Sequence, residues 1–578
     1  MKQRALYTLG IHTGHDAGAC LFKGKQLVAF CKEERITRKK HDGGFSNLKS
    51  IEEVLRIAGI SHADIYILAL SRTQLPLQCF KKTSKPLRDL SRKLRGVKRD
   101  RNLIKEIIFF KEKEESSLVS FDKIKEFYGL SKQCKITFTN HHYSHTLGAY
   151  NFTDWKQDAL YISCDGGGDG ATYSAYYYDG NELHILYGGD ETLLNSQNHA
   201  ASIGVAYAQV TELCGFTPVR HEGKITGLAA FGQPVAGEAI KKYFSVNNDG
   251  SITSQLANVS ELKQHLTSLL KDLSREDMAA SIQYATEELI IEWIKVLIDK
   301  TSAKYIGMSG GVFANVRLNQ RVAELEGINE VFIFPAMRDE GLPVGNAINA
   351  IALHYGFDQL ERNRMGNVYL GFPYTGTDLI TEAQAFNLTV ESSNPAQKAA
   401  KLLQEGRVGA IYSQRMEMGP RALGARTILA SPVDRDINDS INKRLERTEF
   451  MPFVLEEDAS KVFEVNEKNA EACLYMTITT NVKKEYHDKI PAVVHVDGTA
   501  RPQIIKRTTN PLYFDILSEF KTISGLPCLV NTSFNAHEEP IINTPTEALK
   551  ALNDNRVDFL VCEDGIIFGP HFLDHTSI

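Results

Sequence analysis

Residues 5–30, A-L-Y-T-L-G-I-H-T-G-H-D-A-G-A-C-L-F-K-G-K-Q-L-V-A-F, decide the fold. An apolar run enters the turn G-I-H-T-G-H-D-A-G, and a second run, Ala19 to Phe22, leaves it. Lys23-Gly24-Lys25 then reverses the chain into Leu27 to Phe30, so the stretch reads as strand, tight turn, strand, hairpin, strand. The same order returns at 159–187, where a strand ends at Cys164 and the turn D-G-G-G-D-G follows. A tyrosine-rich strand, the turn Asp179-Gly180 and another strand complete the copy, a weak internal repeat. Glycines in both turns let backbone N–H groups approach an anion closely.

Two halves, each with an acidic glycine-rich turn between strands, predict an α/β fold with the duplicated nucleotide-binding architecture of actin and sugar kinases. A third piece agrees: Tyr305 to Ser309 reads as a buried strand, followed by Gly310-Gly311 and by Asn315 to Gln320 on a helix. Strand, glycine pair and helix N-terminus together suit a nucleotide. Any one turn alone reads first as a plain hairpin; the ordered set of three favours the nucleotide. At 578 residues the chain exceeds one hydrophobic core. The polar, glycine-rich stretch 363–376 marks a boundary, giving domains of 1–365 and 366–578. The second begins with a helix, Ala396 to Glu405, and a strand, Val408 to Tyr412. Strand-like segments at Ala492 to Val496 and Pro527 to Asn531 make it mixed α/β.

Hydrophobic residues are 43% and charged residues 24% of the chain, the balance of an ordinary globular protein. A net charge of −5 gives no global drive towards nucleic acid. The one basic tract, Lys81 to Arg101, holds ten Lys or Arg and two Asp and reads as a solvated helical face or a site for an anionic acceptor. Nine scattered cysteines without a C-x-x-C pair argue against a disulfide framework or zinc knuckle. Polar His12, His15 and Asp16 break any signal-peptide core, and no segment approaches a bilayer-spanning apolar run. The expectation is a cytoplasmic protein without a membrane span.

His141 and His145 lie four apart in N-H-H-Y-S-H-T-L-G-A-Y, after the strand Lys135 to Thr139. On a helix they share one face and could hold one metal ion. Asp165 opens the second glycine turn. Asp339 follows the strand Val331 to Phe334 and precedes a helix. Both therefore fall at strand ends, where α/β sheets place ligands. Two imidazoles with two carboxylates suit a divalent transition metal with open positions, iron(II) by ligand type, with manganese and zinc also admissible. Such a metal polarises a carbonyl and acidifies a hydroxyl. His12 and His15 are then candidates for a general base, with His15 preferred.

The motifs that carry these residues resemble those of the O-carbamoyltransferases of antibiotic biosynthesis and nodulation-factor modification. The resemblance spans nearly the whole chain. It runs through G-H-D-A-G (14–18), E-E-R (33–35), H-H-Y-S-H (141–145), D-G-G-G-D (165–169) and H-E-G-K-I-T-G-L-A (221–229). It continues in S-G-G-V-F-A-N-V-R-L-N (309–319), R-M-E-M-G-P-R-A-L-G-A-R-T-I-L-A (415–430), V-H-V-D-G-T-A-R-P-Q (494–503) and N-T-S-F-N (531–535). The resemblance implies an N-terminal actin-kinase-like domain and a C-terminal YrdC-like domain. It further implies that the second takes carbamoyl phosphate and ATP to carbamoyl-adenylate, which travels internally to the metal site. There a hydroxyl of a small molecule or glycan accepts the carbamoyl group and AMP leaves.

Carbamoyl phosphate is a small dianion, so its pocket needs Arg and Lys forks and neutral donors. Arg421, Lys443, Arg444, Arg447 and Arg501 supply the cations within family-like motifs, and Asn531, Ser533 and Asn535 the donors; Arg426 is a further candidate. In the first domain Lys224 is assigned to nucleotide phosphates or the cleft floor, and Asn315 to the nucleotide beside Gly310 and Gly311. Met418 stands where the family more often has tryptophan, Met451 where it has arginine, and Asn346 interrupts a run of small residues. Three other readings share parts of this pattern. A threonylcarbamoyl-transferring tRNA factor needs a broad basic surface, and a hydrogenase-maturation carbamoyltransferase carries zinc-finger cysteine pairs. A nucleotide-switched actin-fold binding protein needs no histidine pair converging on aspartates.

Overall fold

The computed structural model describes residues 6–43, 48–71, 75, 79, 119–193, 195–437, 443–444, 451–536, 538–570 and 572. The basic tract 81–101 and Arg447 lie outside them. The chain divides into two units. One comprises Met1–Glu33 and His41–Met365, the other Glu34–Lys40 and Gly366–Ile578.

In the first unit the opening stretch forms β1 (Tyr7–His12), β2 (Gly18–Lys23) and β3 (Gln26–Lys32), with β4 (Ile65–Ser71) and β5 (Lys135–Thr139) added later. The sheet order is β3-β2-β1-β4-β5. Neighbours β1, β2 and β3 pair antiparallel, while β4 and β5 join parallel to β1. The second half repeats this with β6 (Ala159–Gly168), β7 (Ala171–Tyr178) and β8 (Leu183–Tyr187), beyond a small hairpin of β9 (Phe244–Val246) and β10 (Ile252–Ser254) and then β11 (Tyr305–Ser309) and β12 (Glu330–Ile333). Its order, β8-β7-β6-β11-β12, and its pairing senses are the same, so the weak sequence repeat is a duplicated sheet. Leu9 and Ile11 of β1, and Leu160 and Ile162 of β6, are buried, as expected for strands covered on both faces.

Helices His141–Asn151 and Leu342–Tyr355 pack against each other. Gly345 permits their approach, since a Cβ there would stand 1.9 Å from the Ser144 carbonyl oxygen. The histidine helix is unusual in burying polar residues around most of its circumference: His141, His142, Ser144, His145, Thr146 and Asn151. Buried polar groups need partners. That requirement makes this helix the place to look for chemistry.

The second unit is built on a mixed sheet of eight strands. They are β13 (Thr389–Glu391), β14 (Gly409–Tyr412), β15 (Arg426–Ala430), β16 (Met451–Leu455), β19 (Gln503–Ile505), β20 (Cys528–Ser533), β21 (Phe559–Cys562) and β22 (Gly565–Phe568), with β17 (Thr480–Asn481) and β18 (Thr499–Ala500) paired apart. The order is β13-β22-β21-β14-β15-β20-β16-β19. Helices Pro395–Gln404 and Pro511–Ser524 pack together beside it. The strand expected at Ala492–Val496 does not form: Pro491–Val493 is a turn, and pairing resumes only at Thr499. Its apolar run reflects burial of Ala492 and Val493 in that turn. In the segment 34–40, Arg35 donates to the Gly419 carbonyl at 3.1 Å and Arg38 to the Ile541 and Pro540 carbonyls at 2.8 and 2.9 Å, which gives the E-E-R motif a structural task. No helix among the described residues is long and apolar enough to cross a membrane.

Candidate metal centre and its surroundings

Helix His141–Asn151 starts where Asn140 caps it, accepting from the backbone N–H groups of His142 and Tyr143. The His141 N–H donates to Asp169, the second aspartate of D-G-G-G-D, at 2.9 Å. A carboxylate there also favours the positive end of the helix dipole. Between the two aspartates the turn passes so close that a Cβ on Gly168 would lie 2.2 Å from the His141 ring. The glycine turn thus both supplies Asp165 and seats the first histidine.

His141, His145, Asp165 and Asp339 each offer one ligand atom, and these four atoms lie within 4.8 Å of one another. His145 Nε2 is 3.3 Å from Asp165 and 3.5 Å from Asp339; His141 Nε2 is 3.9 and 3.6 Å away. The buried nitrogens His141 Nε2 and His145 Nε2, and Asp339 Oδ1, have no hydrogen-bond partner. Their orientation is set from behind. His145 Nδ1 is 3.3 Å from Ser309 Oγ, which donates to the Met337 carbonyl and therefore accepts from the ring, turning the Nε2 lone pair inward. Asp165 is fixed by the Gly166 and Gly311 N–H groups, the latter at 3.1 Å. Four converging N/O donors with orphaned buried atoms fit a divalent cation.

Without a cation the two carboxylates act on the imidazoles. Burial lowers His145, but the adjacent Asp165 and Asp339 carboxylates outweigh it and raise the imidazole to about 9. Burial dominates at His142, which falls to about 3 and is held neutral between Ser163 Oγ at 2.6 Å and the Ala171 carbonyl at 3.0 Å. It is a framework residue.

His12 and His15 both reach Asp339, at 3.7 and 3.3 Å, yet their settings differ. His12 is buried, bonded to Ser71 Oγ at 3.0 Å, and lowered to about 4 by desolvation. The His15 side chain is 49% exposed. Its bond to Asp16 at 3.2 Å is the leading cause of a shift up to about 9. Asp16 in turn pairs with Arg338 at 3.2 Å, His41 at 2.8 Å and Lys32 at 3.8 Å. His15 is thus the one of the pair that solvent or a second reactant can reach.

Asn346, which looked like an interruption in the sequence, is a buried junction. Its amide donates to the Ile11 carbonyl at 3.0 Å and to Ser71 Oγ at 2.9 Å, and its oxygen accepts from Ser144 on the histidine helix. It ties the strand of His12 to the helix of His145. Asn346→Leu is expected to strand these groups, at a cost of about 2–4 kcal/mol in denaturant unfolding, with weaker metal uptake by calorimetry. Unchanged stability would show that the junction is dispensable.

Of the residues assigned to a nucleotide, Gly310 donates to the Met337 carbonyl at 2.7 Å and Gly311 serves Asp165. Asn315 caps helix Val316–Ala323 and exchanges hydrogen bonds with Gln283 at 2.8 and 3.1 Å. Lys224 lies in helix Glu222–Ala229 with its ammonium 5.4 Å over the Phe216 ring.

In the second unit, strand directions sort the candidates. The C-terminal end of β20 adjoins the N-terminal ends of β15 and β16, so Asn531, Ser533, Asn535, the loop carrying Arg421, and buried Arg501 before β19 share one end of the sheet. Arg444 does not join them: it pairs with Asp558 at 2.8 Å, beside Val408, at the opposite end, and its exposed neighbour Lys443 accompanies it. Asn535 spends its amide on the Ala536 and Glu539 carbonyls. Fully buried Arg426 lies 3.7 Å over the Tyr412 ring and donates to the Ser413 and Ala425 carbonyls at 2.6 and 2.9 Å. Arg426 braces both ends of the Arg421 loop.

Models of the carbamoyltransferase N-terminus and C-terminus match residues 7–348 and 400–568. An uncharacterized protein of Methanocaldococcus jannaschii is 32% identical, covering 96% of this chain and 98% of its own length. Nodulation protein NolNO of Sinorhizobium fredii is 28% identical over 97% of this chain and 79% of its own. Among solved structures, full-length HypF in its phosphate- and nucleotide-bound form aligns at 13% identity and a TM-score of 0.33, covering 62% of this chain and 57% of that one.

Proposed function

The chain belongs to the carbamoyltransferase family, and from that premise we propose that it is an O-carbamoyltransferase working in two half-reactions. In the second unit carbamoyl phosphate, ATP and one water give carbamoyl-adenylate, phosphate and pyrophosphate. In the first unit the carbamoyl carbon passes to a hydroxyl of a small-molecule or glycan acceptor, and AMP leaves. The observation that carries this reading is the convergence of His141, His145, Asp165 and Asp339 beside a half-exposed histidine.

These four side chains would hold a divalent metal, iron(II) by ligand type, which when bound polarises a carbonyl and stabilises negative charge on an attacking oxygen. Asp339 links the centre to His15, whose Nε2 is 3.3 Å away. His15 takes the hydroxyl proton, with Asp16 fixing the ring and stabilising its charged form. Asp16 is the leading cause of the raised His15; Asp339 and Asp165 add to it, and a dication would neutralise these two and so lower the imidazole part of the way towards a proton-accepting state. His12, kept neutral by burial and held by Ser71, stands 3.7 Å from Asp339 as the second candidate base.

At the second unit's sheet end, Arg421 and Arg501 face the two phosphate-bearing substrates with Asn531 and Ser533. Lys224, the glycine pair Gly310-Gly311 and Asn315 at the start of its helix would contact the nucleotide in the first unit. The test is to incubate metal-loaded protein with ATP and carbamoyl phosphate and measure pyrophosphate. Release that needs both substrates is expected. Absence of release from folded, loaded protein would sink the adenylation step.

A further inference from the structure

The 415–425 loop of the second unit is fixed at its stem by residues close around it. Glu417 accepts from the Leu423 N–H at 2.9 Å and the Arg426 N–H at 3.3 Å. The Leu423 carbonyl accepts from Tyr369 at 2.8 Å and Gln503 at 2.9 Å, and the Gly424 carbonyl from Asn510 at 3.0 Å. The tip, Gly419-Pro420-Arg421, is held from elsewhere. The carbonyl of buried Gly419 accepts at 3.1 Å from Arg35, a residue 384 positions earlier in the chain. Arg35 belongs to the short segment Glu34–Lys40, which is part of the second unit.

Two features of the tip give that one bond its weight. Gly419 has φ 89°, a conformation that glycine enters freely and that restrains the chain little. The next residue is proline, so the peptide joining them has no N–H, and its carbonyl is the one group by which a hydrogen bond can set its plane. Proline then holds its own φ at about −65°, so the orientation given to the Gly419 carbonyl carries through to Arg421. Arg35 is itself firmly placed. It is 3% exposed, and Glu34 Oε1 stands 3.6 Å from its Nε, offsetting the buried charge. Three residues on, Arg38 pins the same segment to the Ile541 and Pro540 carbonyls at 2.8 and 2.9 Å and to Glu547 at 2.8 Å. Arg35 therefore presents its donor at a fixed point, and the glycine tip conforms to it.

We infer that Arg35 is a positioning residue for adenylation, acting through the Gly419 carbonyl to aim Arg421 at the phosphate-bearing substrates. This rests on the reading that the second unit makes carbamoyl-adenylate. It extends the working parts of that unit to the E-E-R motif, a stretch that sequence order alone places in 1–365. A cation displaced by even about 1 Å from its phosphate loses much of its effect on the reaction, so the bond matters out of proportion to its own strength.

The full chain is assayed for pyrophosphate release from ATP and carbamoyl phosphate as wild type, Arg35→Met, Arg421→Ala and the two changes together. Arg35→Met alone is expected to lower kcat/KM by roughly tenfold to a hundredfold. A residue that acts through Arg421 has nothing to act on once Arg421 is gone, so the same change on the Arg421→Ala background should cost less than about twofold. Equal losses on the two backgrounds overturn the inference, because Arg35 would then only stabilise the unit. Release at the wild-type rate from folded Arg35→Met overturns it as well. Where Arg35→Met does not fold, or Arg421→Ala is too slow to measure, Arg35→Lys decides. It keeps one donor for the one carbonyl and should stay within about threefold of wild type. A loss beyond about tenfold in the folded lysine variant shows that the Gly419 bond is not what matters. No pyrophosphate from wild type sinks the adenylation reading, whereas normal release from wild type and from both Arg35 variants fells this inference alone.

Discussion

His145→Ala is expected to abolish carbamoyl transfer while leaving pyrophosphate release from ATP and carbamoyl phosphate intact. His145 is the fully buried member of the centre, and its Nε2 stands within 3.5 Å of both ligand carboxylates. Its ring is aimed by Ser309 from the opposite side. Removing a residue that merely orients a ligand typically weakens a metal site by about 10–100-fold, so deleting the ligand should cost at least about a hundredfold in affinity. Metal content by elemental analysis should fall together with transfer. Loss of pyrophosphate release in a folded, metal-poor variant would mean that the two half-reactions share one site.

The parts of this centre that were legible in the sequence are those whose geometry is local. Four residues between His141 and His145 fix a common helical face, and Asp165 ends an apolar run, so their placement follows from helix and strand periodicity. The duplicated sheet was legible for the same reason, since strand, acidic turn and hairpin recur in order. Asn346 was not, because its meaning lies in contacts with Ser144 and Ser71, 202 and 275 positions away. Read alone it is one polar residue in a helix of small ones. Asp169 was passed over because its task, capping the histidine helix, belongs to an element 28 positions earlier. Arg444 shows the opposite difficulty: its motif neighbourhood grouped it with Arg501, but strand direction puts it at the far end of the sheet, against Asp558. Ala492–Val496 is apolar and valine-rich like a strand, yet that composition records burial, and a buried turn satisfies it too.

Arg501→Ala is expected to give the converse phenotype, with pyrophosphate release reduced by roughly a hundredfold or more and metal content unchanged. Arg501 is 8% exposed and sits just before β19, at the sheet end that also carries Asn531 and Ser533. A cation held there suits a phosphate dianion, and charge developing on a transferred phosphoryl group makes each preorganised donor count most in the transition state. Met451 sharpens the expectation. It occupies the first position of β16, opposite Asn531, where the family resemblance read from the sequence implies arginine. With an apolar side chain there, fewer cations share the phosphate, so this chain should depend on Arg501 more heavily than a relative with both. Arg501→Lys retains the charge but loses the planar fork, and should recover only a minor part of the activity. Met451→Arg placed on the Arg501→Ala background should recover more than lysine does. If instead Arg501→Ala releases pyrophosphate at the wild-type rate, phosphate is held elsewhere, and the pocket must be redrawn around Arg421.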